Sequence, residues 1–325
     1  MLEHGGRLRH ASATYGIALE QWLDLSTGIN PHPYPAPAIP PTLWQRLPED
    51  DDGLEAAAAA YYGSDQLLPV AGSQPAIQLL PALLPGRRVT MPCPTYAEHP
   101  HAWREHDLRI RGDGTDAIDK LIDDTDVLVL VHPNNPSGAR FEREQLLEWH
   151  RRLSQRGAWL VLDEAFIDAD PGASLAGEAG RPGLVVLRSI GKFFGLAGAR
   201  TGFVLGPPSL RTALAERLGP WTVSGPSRFV VRAALDDRTW QHTMRRRLAT
   251  DSQRLATLLH TAGLGIPRGP ALFQWIVHPA ASSIHHALAL RGILVRHFDT
   301  PSSLRFGLPP DESGWQRLTE ALAAL

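Results

Sequence analysis

The 325-residue chain reads as an α/β fold: a mostly parallel central sheet with helices on both faces, followed by a small α+β domain. Two observations predict it. Short apolar runs, Val127 to Val131 and Trp159 to Leu162, alternate with helical stretches, as the buried strands of a parallel sheet do. Chemistry-bearing residues then stand just past those runs. His132-Pro133-Asn134-Asn135-Pro136-Ser137-Gly138 follows the first run and Asp163-Glu164-Ala165-Phe166 the second, with Ser189-Ile190-Gly191-Lys192 further along. Functional groups of open parallel sheets collect beyond the carboxyl ends of the strands.

Residues 1–44 are expected to form an extended arm. His4-Gly5-Gly6 opens it, Asp24 to Pro31 makes a turn, and the proline-rich passage from Pro31 to Pro41 excludes regular helix. A large domain is expected over residues 45–206. Alanine-rich Leu54 to Tyr62 predicts a helix stopped by Gly63. Val70-Ala71-Gly72-Ser73-Gln74 predicts a strand end, a glycine turn and a helix start running through Leu84, and such a start offers free N–H groups to a phosphate. The same residues also suit a plain helix cap. Val89-Thr90-Met91 predicts a strand, with helices over 97–106, 115–123 and 142–156; the last carries Leu146, Leu147 and Leu153 against Glu144, Arg151 and Arg152. Residues 207–325 are expected to form the small domain. Its helices fall at 208–219 and along a segment near 227–262, its short strands at 272–277, 293–296 and 304–307, and a closing helix begins near 311.

A net charge of −2 gives no reason to expect nucleic acid or an anionic membrane as partner. The single cysteine, Cys93, excludes an intrachain disulfide and a cysteine-rich zinc site, and reads as a small residue in a Pro-Cys-Pro turn. No secretory signal follows Glu3, His4, Arg7 and Arg9, and no apolar run approaches the length of about 18 residues that spans a bilayer. A cytoplasmic protein is expected. His285-His286 reads as structural, since adjacent residues point to different faces of a helix.

Lys192 lies among small, apolar and hydroxyl residues, where desolvation lowers an amine's pKa and makes it nucleophilic toward an aldehyde. Ser189 and Arg200 flank it and together could hold a phosphate. Alone, the stretch also reads as an ordinary glycine-rich loop leading into a strand near 202–206. In order and spacing, however, the three motifs resemble those of the fold-type I enzymes that use pyridoxal 5'-phosphate, the aspartate aminotransferase superfamily. The resemblance implies that Lys192 forms the Schiff base. It implies that Asp163 pairs with the pyridine nitrogen, that Asn135 bonds the phenolic oxygen and that Tyr96 stacks on the ring. Gly72, Ser73, Gln74, Ser189 and Arg200 would cradle the phosphate. A carboxylate at that nitrogen keeps it protonated, so that the ring takes up electrons from the substrate Cα.

The opening His4-Gly5-Gly6, the turn Gly28-Ile29-Asn30-Pro31, Asp163 to Asp168 and Pro220-Trp221-Thr222-Val223-Ser224 resemble one branch of that superfamily, the threonine-phosphate decarboxylases of cobalamin synthesis. The resemblance implies a phosphorylated amino acid as substrate and a homodimer as assembly. Arg305 would grip the carboxylate, and Arg296, His4, Gly5, Gly6 and Asn30 the substrate phosphate. Histidinol-phosphate aminotransferases are the alternative, and a non-catalytic cofactor-sensing module is a third reading. Three residues depart from the superfamily pattern. Phe166 replaces a tyrosine that bonds the cofactor, His132 replaces an Asn or Thr, and Leu47 stands where many relatives place a tyrosine that reaches across the dimer.

Overall fold

The computed structural model describes residues 2–325, Arg111 by its backbone alone. Its strands are β1 (Leu23–Leu25), β2 (Leu67–Val70), β3 (Arg88–Cys93), β4 (Asp107–Gly112), β5 (Val127–Val131), β6 (Trp159–Asp163), β7 (Leu184–Ser189), β8 (Gly202–Leu205), β9 (Phe273–Val277), β10 (Ile293–Phe298) and β11 (Ser303–Gly307). Seven of them form the large sheet in the order β2-β8-β7-β6-β5-β3-β4, with β8 running against the other six. The mostly parallel sheet with surrounding helices is the fold expected from the sequence.

Burial on both faces explains the unbroken apolar strands. Alternate residues of β6 and β7 serve two different cores: Leu160, Leu162 and Val186 join the larger one, and Val161, Val185 and Leu187 the smaller. From β3 the chain steps outward to β4 and then back across to β5. That reversal opens a crevice at the carboxyl ends of β3 and β5, where Tyr96 and Asn135 lie.

The second sheet, β1-β10-β11-β9, has the helices Arg238–Thr261 and Ala281–Ala289 packed against it. The segment expected as one helical run near 227–262 is two helices, Gly225–Asp236 and Arg238–Thr261. Asp237 divides them, its carboxylate capping the second by accepting from Trp240 N at 2.9 Å. His285 and His286 lie on the helix Ala281–Ala289, and no metal-binding group of His, Cys, Asp or Glu occurs among the described residues. No helix among them is long and apolar enough to cross a membrane.

Three expectations are corrected. Residues near the amino terminus are not simply extended: Leu8–Tyr15 is a helix, and β1 pairs in parallel with β10, so the opening segment builds the edge of the C-terminal sheet. The tertiary partner decides this, because three residues with Leu23 and Leu25 buried are too short a pattern to declare a strand. The helix expected over 97–106 is only Glu98–Ala102, and the chain then enters β4, absent from the sequence reading. An edge strand exposes half its residues, and its charged positions mask the period-two signal. Finally, Cys93 ends β3 instead of sitting in a turn, and is exposed.

His132 is fully buried, stacked on Phe141, with its Nδ1 accepting from Phe141 N at 3.4 Å. Burial, aided by Arg140, pushes its pKa down to about 4 from the usual 6.5. The unfolded chain therefore takes up a proton below pH 6.5 that the native state refuses until about pH 4. Stability on this account is complete above 6.5 and falls by about 3 kcal/mol as pH drops through that window. His132→Asn does not titrate, so its stability deficit relative to wild type at pH 7, measured by urea unfolding, should shrink by about that amount at pH 4.

Candidate active site

Three loops meet at one end of the crevice. Helix Gln74–Leu83 begins there with Ser73 as its cap, and its first N–H groups have no partners within the helix. Gly72, at φ +77°, precedes it, and a Cβ there would stand 2.7 Å from Arg200 Nη2. The space a side chain would fill is held by a guanidinium. Arg200 itself is left-handed at φ 47°, a conformation costly for a non-glycine residue and one that turns it toward Gly72. Ser189 ends β7 on the same side of the sheet as Asp163. The side chain of Gln74 turns away, its Nε2 donating to Glu98 Oε2 at 2.7 Å, so Gln74 offers this end its backbone alone.

Asp163 marks the other end. It is 2% exposed, its Oδ2 lies 2.9 Å from His99 Nε2, and its Oδ1 accepts from Ala165 N at 3.1 Å. The sequence reading missed His99: 64 residues separate it from Asp163, and the strand order brings the pair together. Tyr96 is half-buried, with ring centroids 6.1 Å from both His4 and His99, and burial beside Asp163 and Glu98 pushes its hydroxyl up to about 12.

Lys192 lies between these ends, its Nζ 5.5 Å from the centroid of the Phe166 ring. Desolvation first, then Arg305 and Arg200, against the opposing pull of Asp163, lower the amine to about 8 from the ordinary 10.5. The loop is held by the opening segment: Asn30 N donates to Lys192 O at 3.0 Å, and Asn30 Nδ2 to Phe193 O at 2.7 Å. The Asn30 amide oxygen accepts from His32 N at 2.9 Å, so this side chain is engaged in shaping the lysine loop. Gly28 is small of necessity, because a Cβ there would stand 2.8 Å from Phe166 and 2.9 Å from Phe273.

The second sheet contributes a row of side chains across its strands. Arg296 on β10 is paired with Arg305 on β11, and two guanidiniums so placed repel unless anions lie between or above them. Arg305 is 6% exposed and donates to Asn135 Oδ1 and, at 2.8 Å, to Ser26 O, while its Nε is buried without a partner. Desolvation and Arg296 lower it to about 10, still charged at neutral pH. Arg296 holds Glu3, through the main-chain carbonyl at 2.8 Å and the carboxylate at 3.4 Å. His4 reaches Glu98 at 2.7 Å, Gly6 N donates to Ser26 Oγ at 2.7 Å, and a Cβ on Gly5 would strike Ser26 O. His4, Gly5 and Gly6 therefore lie along the same rim as Arg296. Leu47 is 62% exposed on the outer surface.

An amine whose pKa is lowered to about 8, a buried and hydrogen-bonded acid at one end and a cationic, N–H-lined cradle at the other are what an aldehyde-bearing aromatic phosphate requires. The chain belongs to the aminotransferase class I and II family, whose model matches residues 45–322. It is 56% identical over 322 residues to the threonine-phosphate decarboxylase of Pseudomonas aeruginosa, covering 99% of this chain and 97% of that one. It is 41% identical over 335 residues to the enzyme of the same name from a Sinorhizobium species, covering 99% and 98%. Among solved structures it is similar to the histidinol-phosphate aminotransferase of Sinorhizobium meliloti in complex with pyridoxal 5'-phosphate. That likeness has a TM-score of 0.84 at 19% identity and covers 99% of this chain and 95% of that one, which speaks to fold. The cofactor of this chain is pyridoxal 5'-phosphate, and the Gly72–Arg200 cradle and the buried Asp163 fit its two ends.

The chain has two lysines, Lys192 and the exposed Lys120. An amine-selective reagent such as trinitrobenzenesulfonate, read out by peptide mass spectrometry on cofactor-free protein, should label Lys192 with a midpoint near pH 8. A Lys192 midpoint near the ordinary 10.5 would mean that the amine is not desolvated.

Proposed function

We propose that the chain decarboxylates L-threonine O-3-phosphate to (R)-1-amino-2-propanol O-2-phosphate, a step of cobalamin biosynthesis. The observation that carries this reading is the cross-strand pair Arg296 and Arg305, of which Arg305 lies near enough to Lys192 to lower its pKa: two cationic positions on one sheet for a substrate with a carboxylate and a phosphate. The near full-length similarity to two threonine-phosphate decarboxylases points the same way.

In this reading Gly72, Ser73, Ser189 and Arg200 hold the cofactor phosphate, the Gln74 N–H adds a donor, and Asp163, oriented by His99, faces the pyridine nitrogen. Bound there, pyridoxal phosphate supplies a sink for the electron pair left on the substrate Cα when a bond to that carbon breaks. Arg305 receives the carboxylate through donors that include its unpartnered Nε, with Asn135 alongside. Arg296 exchanges Glu3 for the substrate phosphate, and His4, Gly5 and Gly6 close the rim over it, with Asn30 behind holding the lysine loop. Tyr96 covers one face of the site. Phe166, with no hydroxyl to offer, leaves Asn135 as the bonding partner of the phenolic oxygen. After carbon dioxide leaves, Lys192 Nζ returns a proton to Cα, and a pKa near 8 suits both giving and taking it at neutral pH.

The reading places the enzyme in the cytoplasm as a homodimer. The homodimer is supported by three large apolar side chains left exposed, those of Trp44, Leu47 and Trp221. Trp44 (68% exposed) and Trp221 (59%) stand on segments joined where Gly225 meets Leu43, and Leu47 follows Trp44.

Incubation with L-threonine O-3-phosphate should release carbon dioxide without 2-oxoglutarate. Transfer of the amino group from histidinol phosphate to 2-oxoglutarate, with no carbon dioxide, would overturn the reading. Arg296→Ala should raise KM for the phosphorylated substrate about 10- to 100-fold with little change in kcat, whereas Arg305→Ala should lower kcat/KM by roughly 100-fold or more, as steady-state kinetics would show.

A further inference from the structure

The face of the large sheet opposite the cofactor carries a group of charges that the chemistry above leaves unused. Side chains alternate along β6 and β7, so Asp163 and Ser189 project to one face and their neighbours Glu164 and Arg188 to the other. Arg188 is 2% exposed. Its Nη1 donates to Glu164 Oε2 at 2.8 Å and to Ser174 Oγ at 2.9 Å, and its Nη2 donates to Asp168. Glu164, with no exposed surface, also accepts from Leu175 N at 2.8 Å. Asp168 accepts from Tyr61 Oη at 3.0 Å, and its carbonyl accepts from Arg245 Nε at 2.8 Å. Arg245 lies on the helix Arg238–Thr261 that packs against β9, so the network runs from the cofactor strands to the second sheet's layer.

Stability alone is a weak reason for such a group. Desolvation of buried ions offsets much of their attraction, and apolar residues of the same shape often serve as well. What the group does supply is fixed geometry: a planar guanidinium with three acceptors cannot slide without losing one of them. Those acceptors sit at the end of β6, on the segment 164–168 that carries Phe166, and on the following loop, while Arg188 itself directly precedes Ser189. We propose that Arg188, with Glu164 and Asp168, is a positioning group for the cofactor site. It locks the carboxyl ends of β6 and β7 together, so that Asp163 and Ser189 stand at one separation, and it holds Phe166 against Lys192. The inference rests on the cofactor assignment and goes beyond the residues that touch the cofactor.

The test uses Arg188→Lys, which keeps the charge but cannot span three acceptors, and Glu164→Gln, which keeps the shape and the bond to Leu175 N. For each folded variant, the pyridoxal phosphate dissociation constant is measured by quenching of tryptophan fluorescence, the pH midpoint of the visible band by absorbance, and the cofactor-free Tm by calorimetry. In both variants the dissociation constant should rise at least about tenfold, and the band midpoint should move by about half a unit. A rise measured on folded protein supports the inference whatever the Tm. A lowered Tm with wild-type affinity and midpoint, or no change in any quantity, overturns it. If Arg188→Lys does not fold, Glu164→Gln decides by the same criteria. The wild-type titration checks the cofactor assignment separately, so the two cannot fail for one reason.

Discussion

A single amine held out of water sets the terms for the rest of this protein. Lys192 is surrounded by Phe166, by the main chain of its own glycine-rich loop and by the opening segment that clamps that loop through Asn30. Desolvation penalises its ammonium form, and Arg305 and Arg200 add repulsion, so the amine gives up its proton near pH 8 instead of the ordinary 10.5. That is costly unless the charges around it are themselves secured. Asp163 is held by His99 and Ala165 N, Arg305 by Asn135 and Ser26, and Arg200 is fixed by a left-handed backbone beside Gly72.

The site belongs to no single segment. The large sheet supplies the acid, the lysine and the phosphate cradle at its strand ends, and the reversal in strand order opens the space between them. The second sheet supplies the two arginines in cross-strand register, which gathers positive charge at one edge of the site. Between the sheets runs the opening segment, whose Gly28 fits against Phe166 and Phe273 and whose Glu3 and His4 reach Arg296 and Glu98. Arg296 is already bonded to Glu3 of its own chain, which balances part of the charge gathered on that rim.

Reaction choice in such a site follows from how the carboxylate is held, because the bond that breaks is the one the electron sink can accept electrons from. The same fold serves the histidinol-phosphate aminotransferase whose structure this chain resembles. The apolar Phe166 beneath Lys192 and the Arg305–Asn135 contact are the local features that bear on orientation. Phe166 offers Lys192 a ring without a hydroxyl, and Asn135 is engaged by the Arg305 guanidinium.

Composition and pattern by themselves determined the α/β class, the strands ahead of Asn135 and Asp163 and the unusual setting of Lys192; the groups expected around it followed from the resemblance of the motifs to a known superfamily. These are local facts: a run of buried residues has a period, and a lysine among glycines and phenylalanines has few uses. The pairing of His99 with Asp163, the buried Arg188 group, the edge strand β4 and the joining of β1 to the C-terminal sheet were settled only in the folded molecule. So was the register that sets Arg296 beside Arg305. Each depends on residues far apart in the chain, and no local period or propensity encodes which strand will lie next to which. Proximity of that kind is created by packing, and the charges it brings together acquire their roles only then.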